Sequence, residues 1–371
     1  MKLAFALFKY FPYGGLQRDC LKIAEECVRR GHSVDIFTLQ AEGEIPAEMN
    51  LLLLPQRAFQ NYRRYELFAD EVVQQVHNGG YSALIGFNKM PCLDLYYAAD
   101  PCFAAKVRTR SFFYRCSRRT RSFLKSELAV FGADSRTHSL LISPAERTVF
   151  SEIYRTDPGR IHLLPPGIQR DRLVGNDYNQ VREGKRRELG LAETDHMLLM
   201  VGSGFKTKGL DRSLRAVAAL PEALKQQVKL YVVGQDNSGP FLRLARTLGL
   251  EKQCFFLGGR DDVAELLFSA DLLLHPAYRE NTGTVILEAM AATLPLLVSK
   301  TCGYSFYVDQ AHCGRVLSEP FSQHEMNTAL AEMLVSPQRG VWRENAEKYI
   351  RENDVFSMPQ RAVDIIEQVV S

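Results

Sequence analysis

Several signatures are missing from this chain of 371 residues, and each absence removes a class of chemistry. No D-x-D occurs, and no cluster of His, Cys and carboxylates has metal-ligand spacing, so no divalent ion is expected to take part. The eight cysteines include no C-x-x-C pair, which argues against a zinc site or a disulfide framework and for reduced thiols in the cytoplasm. No apolar run approaches the roughly eighteen residues needed to span a bilayer. The glycine turn after the first apolar segment is not G-x-G-x-x-G, and no acid ends the segment Ser33–Gln40, so a nicotinamide dinucleotide is disfavoured. G-x-x-x-x-G-K-[ST] is absent as well. The apolar stretch Leu3–Phe8 is short and lacks a small-residue cleavage site, so it reads as a first strand rather than a signal peptide.

What is present fits a soluble globular protein, 46% hydrophobic and 24% charged, long enough for two domains. Apolar segments at Lys2–Phe8, Ser33–Leu39, Tyr81–Phe87, Leu95–Ala99 and Ser139–Ser143 alternate with helix-length segments, the first helix being Leu16–Arg30 after a loop at Tyr10–Gly15. Such alternation predicts a parallel, doubly wound sheet. The segment LLPPGI (Leu163–Ile168) breaks the pattern with two prolines and a glycine. A second series of strands is expected at His196–Val201, Val228–Gly234, Cys254–Gly258, Asp271–His275 and Pro295–Ser299. The expected division is 1–168, 169–355 and a last helix, 356–371, that packs back on the first domain. Two Rossmann-like halves would bind a ligand at the carboxyl edges of their strands, in a cleft between them.

The segment from Ala270 to Ser299 carries the most chemistry. Glu280 falls in a loop, and Glu288 lies eight positions later in a helix otherwise apolar on every side, through Val285, Ile286, Leu287, Ala289 and Met290. A helix apolar all round is buried. A carboxylate inside it needs a partner, because an unpaired buried charge costs several kcal/mol. The partner is either an Arg or Lys of the core or the hydroxyls of a ligand. The helix start at Asn281, Thr282, Gly283 and Thr284 offers free amides and a positive dipole end to a phosphate. Two carboxylates for hydroxyls and a helix start for phosphate describe a nucleotide-sugar site.

Two glycine-containing turns support that reading. Gly14-Gly15 follows the first strand, where backbone must approach a ligand or simply turn tightly. In GSGFKTKG (Gly202–Gly209), Lys206 and Lys208 stand ready to neutralise a diphosphate or to be solvated. Asp100 closes the strand in LDLYYAAD, and Asp19 lies in the first turns of the first helix; each is either a contact to an acceptor or an ordinary capping charge. From Pro101 to Ser126 there are eight cations and no acid: Lys106, Arg108, Arg110, Arg115, Arg118, Arg119, Arg121 and Lys125. They interleave with Phe103, Phe112, Phe113, Tyr114 and Phe123. That composition suits a helix lying on anionic lipid, with nucleic acid or plain solvent as the other environments it could meet.

The E-x7-E pair Glu280 and Glu288, the glycine loop at 14–15, Lys208-Gly209, LLPPGI and HPAYRE together resemble the retaining glycosyltransferases of family four. FKYFPYGGLQRD (8–19), GFNKMPCLDLYYAAD (86–100) and HPAYRE (275–280) are similar to the lipopolysaccharide-core hexosyltransferases of that group over essentially the full length. The resemblance implies the GT-B fold, two Rossmann-like domains facing a cleft, and metal-independent, retaining transfer of a hexose, glucose first, from a UDP-sugar to inner-core heptose. It implies Glu288 on the ribose, Glu280 on the hexose 3- and 4-hydroxyls, and Lys208 with the 281–284 amides on the diphosphate. Lys206 and Gly15 would join the donor site, Arg260 would face the uracil, and Asp19 and Asp100 would face the acceptor. The basic-aromatic stretch falls where such enzymes touch the membrane, so the resemblance implies a peripheral protein on the inner face of the cytoplasmic membrane. Neither a cofactor nor nucleic acid is implied. Thr207 stands where relatives often carry Arg, and Asn281-Thr282 where they carry small apolar residues.

Overall fold

The computed structural model describes every residue except 12, 13, 44 and 371, so part of the loop expected at Tyr10–Gly15 lies outside the described residues. The chain forms two compact units, Met1–Gly167 with Ser357–Ser371, and Ile168–Phe356. The division falls inside the Pro-Pro-Gly segment, where the chain can neither continue a helix nor donate ladder hydrogen bonds at its prolines.

The first unit is built on seven parallel strands: β1 (Lys2–Tyr10), β2 (Ser33–Ala41), β3 (Asn50–Leu53), β4 (Ala83–Gly86), β5 (Leu95–Ala98), β6 (His138–Leu141) and β7 (Ile161–Leu163). Their order in the sheet is β3-β2-β1-β4-β5-β6-β7. β1 reads LAFAL because both its faces are covered, as parallel strands require, and Leu3 to Leu7 are fully buried. It pairs from Lys2 opposite Ser33 to Tyr10 opposite Ala41, and on its other side with β4. The direction of strand addition reverses between β1 and β4, so their carboxyl ends open a crevice. β3 and β7 are not among the expected strands. Each is three or four residues long and lies at an edge; pairing defines them more than any local pattern does.

The helices of this unit include α1 (Gly15–Arg29), α2 (Asn61–Asn78), α3 (Phe103–Arg108), α4 (Phe112–Cys116) and α5 (Arg118–Phe131). The last helix of the chain, Met358–Val370, also belongs here. It buries Met358, Ala362, Val363 and Ile366 in one apolar cluster with Leu3, Phe5, Ile23 and Ala24. Arg30 at the end of α1 reaches Asp364 and Glu367, both at 2.9 Å, while its Nε is held by Glu26.

The second unit has six parallel strands, β8 (His196–Val201), β9 (Val228–Val233), β10 (Cys254–Gly258), β11 (Leu272–His275), β12 (Leu296–Ser299) and β13 (Gly314–Leu317), ordered β10-β9-β8-β11-β12-β13. Apolar clusters cover both faces. Here the reversal lies between β8 and β11. Among the described residues no helix is long and apolar enough to cross a membrane.

Because the last helix completes the core of the first unit, Ile366→Ala should cost about 2–5 kcal/mol, as for other buried large-to-small changes. Denaturant unfolding measures it; a cost below about 0.5 kcal/mol would mean that the helix is a dispensable appendage.

Candidate active site

The loop after β8 and the loop after β11 meet at the reversal point of the second sheet. Three glycines let the first loop fold there, with Gly202, Gly204 and Gly209 all at positive φ. At Gly209 the need is steric as well: an added Cβ would lie 2.0 Å from the Pro276 carbonyl oxygen. Hydrogen bonds then fasten the two loops together. The Tyr278 N–H donates to the Thr207 carbonyl at 2.8 Å, and Arg212 donates to the carbonyls of Pro276 and Ala277 at 3.0 and 3.1 Å. The Arg212 guanidinium also lies 3.6 Å from the Tyr278 ring centroid.

The segment after β12 fixes the other side. The Glu280 N–H donates to Thr301, the Gly303 N–H to Glu280, and the Tyr304 N–H to Thr282. A Cβ on Gly303 would sit 1.8 Å from the Asn281 carbonyl oxygen. Ser299 and Thr301 both donate their hydroxyls to the Ala277 carbonyl, at 2.8 and 2.6 Å. Glu280 is therefore held from both flanks in a place its own sequence neighbourhood does not specify.

Into this frame Lys208 extends its ammonium and pairs with Glu280 Oε2. The side chains are 19% and 17% exposed. Burial pushes the Lys208 ammonium down to about 8, which leaves it charged at neutral pH and keeps the pair intact. Beneath the pair, His275 ends β11 with no exposure at all, and neither ring nitrogen is hydrogen-bonded among the described residues. Its Nε2 stands 3.7 Å from Glu280 Oε2. Burial and the neighbouring Lys208 push its pKa down to about 3, so the ring is neutral.

Glu288 lies in the helix Thr284–Ala291, whose residues from Val285 to Ala291 are all buried. Its own exposure is 5%, yet it has no hydrogen-bond or ion-pair partner among the described residues. The contrast with Asp271, the other buried acid of this sheet, is instructive. Asp271 receives Arg182 at 2.6 Å, Arg186 at 3.1 Å and the Met197 N–H at 2.8 Å. A partnered buried acid supports the fold; an unpartnered one costs free energy unless something external satisfies it. The helix start points the same way, because Gly283 caps it at φ +85° and no side chain accepts from its first amides.

The other sequence-predicted residues fall as follows. Lys206 turns outward to Asp211 at 3.1 Å and lies over the Tyr278 ring, away from the Lys208–Glu280 pair. Arg260 is tied to Asp262 through Nε and Nη2. Thr282 and Gly283 are buried at the helix start, with Asn281 and Thr284 half-buried. In the first unit, Gly15 is exposed and a Cβ there meets nothing, whereas a Cβ on Gly14 would displace the Gln17 side chain. Asp19 accepts the Tyr97 hydroxyl at 2.7 Å, tying α1 to β5, and Asp100 is exposed two residues beyond that strand. His275 and the 299–304 segment were not foreseen. A histidine closing an apolar strand carries no periodic signal, and the 299–304 contacts form across sequence.

The basic stretch forms three short helices, α3, α4 and α5, rather than one. Buried Glu127 in α5 organises it, accepting from the N–H groups of Phe103 and Ala104 at the start of α3, from Lys89 and from the Tyr154 hydroxyl, all within 2.6–2.8 Å. Arg108, Arg110, Arg115, Arg118, Arg119, Arg121 and Lys125 are exposed, and Lys106 is half-buried. Phe112 and Phe113 are 72% and 86% exposed. Phe103 and Phe123 instead pack inward on each other and, through Phe123, on Tyr65. Only the α4 pair is therefore free to enter an interface, because α5 needs Phe123 for its own packing.

Comparison with known proteins agrees with this geometry. A family model described as Glycosyl transferases group 1 matches residues 181–351. The Lipopolysaccharide glucosyltransferase WaaG of Escherichia coli (strain K12) is 42% identical over 368 residues, covering 99% of this chain and 98% of that protein. The crystal structure of WaaG, a glycosyltransferase involved in lipopolysaccharide biosynthesis, matches with a TM-score of 0.94, covering 98% of this chain and 99% of that one. At 19% identity, Anabaena Alr3699/HepE in complex with UDP and glucose shares the fold, with a TM-score of 0.75 over 99% of this chain and 100% of its own.

Gly209→Ala should separate the two loops, since it combines a left-handed backbone with a carbonyl clash; a loss of about 2 kcal/mol or more is expected. Calorimetric unfolding checks this, and a melting temperature equal to wild type would show that the loops need not touch.

Proposed function

The chain belongs to the family of the WaaG lipopolysaccharide glucosyltransferase within the group 1 glycosyl transferases, and from that membership we propose that it moves a hexose, glucose first, from a UDP-sugar to an inner-core heptose of lipopolysaccharide. It is a glycosyltransferase of two Rossmann-like units, the GT-B fold. The observation that carries the donor reading is Glu288, a buried carboxylate with no partner among the described residues, in a helix whose start has no side-chain cap. Ribose hydroxyls supply the missing donors, and the amides around 281–284 receive phosphate.

In this reading Lys208 neutralises the diphosphate, Glu280 accepts from the hexose 3- and 4-hydroxyls, and the Arg260 loop faces the uracil. Lys206 lies at the rim of the donor site. Asp19 and Asp100 belong to the acceptor side in the first unit, and the Gly15 turn to the donor. Transfer proceeds with retention. The bond from the anomeric carbon to the diphosphate breaks as the acceptor oxygen approaches on the same face, and the departing phosphate takes the acceptor proton. No metal is needed, because Lys208 and the helix start stabilise the charge that develops on the leaving diphosphate. The protein works in the cytoplasm, peripherally on the inner face of the cytoplasmic membrane, where its acceptor is anchored.

Incubating the protein with a panel of UDP-, ADP- and GDP-sugars and deacylated inner-core acceptor, and analysing the product by mass spectrometry, tests the function directly. Transfer from UDP-glucose is expected, and no transfer from any UDP-sugar would refute it. Glu288→Gln should fold normally and bind UDP about tenfold to hundredfold more weakly, the equivalent of one charge-assisted hydrogen bond of about 1.5–3 kcal/mol. Calorimetry giving an unchanged UDP affinity would remove Glu288 from the site. Turnover should survive excess EDTA; a large loss that magnesium or manganese restores would contradict the metal-free route. On anionic vesicles the wild type should co-sediment at low salt, since seven exposed cations contribute about 1 kcal/mol each when engaged. A variant with Arg115, Arg118, Arg119 and Arg121 changed to Glu should not. Equal binding by both proteins, or preference for DNA, would overturn the membrane assignment.

A further inference from the structure

His275 is the buried polar group that the donor reading leaves unused. Its ring is wholly buried, and neither nitrogen has a hydrogen-bond partner among the described residues. Orphaned buried polar atoms are rare in folded proteins, and one beside an active site calls for an explanation. Its place is fixed. The residue ends β11, and its carbonyl accepts from the Cys302 thiol at 3.6 Å, which holds its backbone in the strand. Glu280 Oε2 lies 3.7 Å from Nε2, a few tenths of an ångström beyond a hydrogen bond. That oxygen is occupied by Lys208. On the side of the helix start there is space, because Gly283 carries no side chain toward either Glu280 or Nε2.

The donor reading requires Lys208 to turn to a diphosphate. Glu280 would then lose its counter-charge while remaining largely buried, next to an imidazole that has a hydrogen to give. We propose that His275 is a positioning residue: when a nucleotide sugar draws Lys208 onto its diphosphate, the His275 Nε2–H takes the vacated oxygen of Glu280 and holds that carboxylate against the hexose hydroxyls. The Lys208–Glu280 pair is thus the resting form of an empty site, and His275 is its replacement in the filled one. A neutral ring suits the role, since the carboxylate selects the tautomer protonated at Nε2 without adding a second cation beside Lys208. Burial and Lys208 keep the ring neutral across the physiological range.

The inference rests on the assignment of Glu280 to the hexose, and the test separates the two. A glutamine at 275 places an amide N–H where Nε2 stands, whereas an asparagine places it near Nδ1. His275→Gln should keep the KM for UDP-glucose within about threefold of wild type. His275→Asn should raise it about tenfold, the loss of one hydrogen bond to a charge, while the inhibition constant of UDP stays within about twofold. In a Glu280→Ala background the His275→Asn change should add nothing, because the acceptor it serves is gone. Equal behaviour of the Gln and Asn variants, or equal losses for UDP and UDP-glucose, would overturn the proposal while leaving the donor assignment standing. An asparagine effect that persists undiminished without Glu280 would do the same. A wild type that binds neither UDP nor UDP-glucose would remove both.

Discussion

The close approach of the loops after β8 and β11 is the constraint on which the second unit's chemistry depends. Lys208 and Glu280 are 72 residues apart in sequence and have no local reason to meet. They meet because Gly209 can pass within van der Waals reach of Pro276, because Arg212 and the Tyr278 amide lock the loops, and because the sheet reverses direction at that point. Parallel strands gather their carboxyl ends on one edge, and a reversal leaves a gap that helices do not fill. The ion pair occupies that gap. A bulkier residue at 209 would move the lysine and leave the glutamate with no cation.

The same unit treats its buried acids in two ways, and the difference separates architecture from function. Asp271 sits at the amino end of β11 and is satisfied by arginines and backbone, as a structural charge must be. Glu288 is equally buried, yet has no protein partner among the described residues. Low dielectric strengthens any hydrogen bond made to such a carboxylate. A ligand that brings hydroxyls there would be held strongly. His275 follows the same logic, a polar group left open where a filled site would close it.

In the first unit a single acid brings order to a region otherwise rich in cations. Glu127 gathers the start of α3, Lys89 and Tyr154 around one carboxylate, so the arginines of α4 and α5 are presented from a rigid base. Packing divides the aromatics of the stretch. Phe103 and Phe123 serve the interior, and Phe112 and Phe113 remain outside, their rings paired with each other. A composition count treats these four rings alike; burial does not.

Much of this was legible without coordinates. Alternating apolar strands and amphipathic helices, with LLPPGI between two series, are local properties of the chain and determined two parallel-sheet units and the point of division. The apolar setting of Glu288 and the glycines around Lys208 are equally local, and they singled out the residues proposed here for the donor. Tertiary structure alone decided the rest. It added the short edge strands β3, β7 and β13, which only pairing defines. It turned Lys206 to Asp211 while bringing Lys208 to Glu280, although the two lysines are two residues apart in a flexible-looking loop. It crowded Gly14 rather than Gly15 with the Gln17 side chain at the first turn, and it placed His275 beneath the ion pair. Those outcomes depend on which distant backbone groups compete for the same space, and no window of sequence contains both competitors.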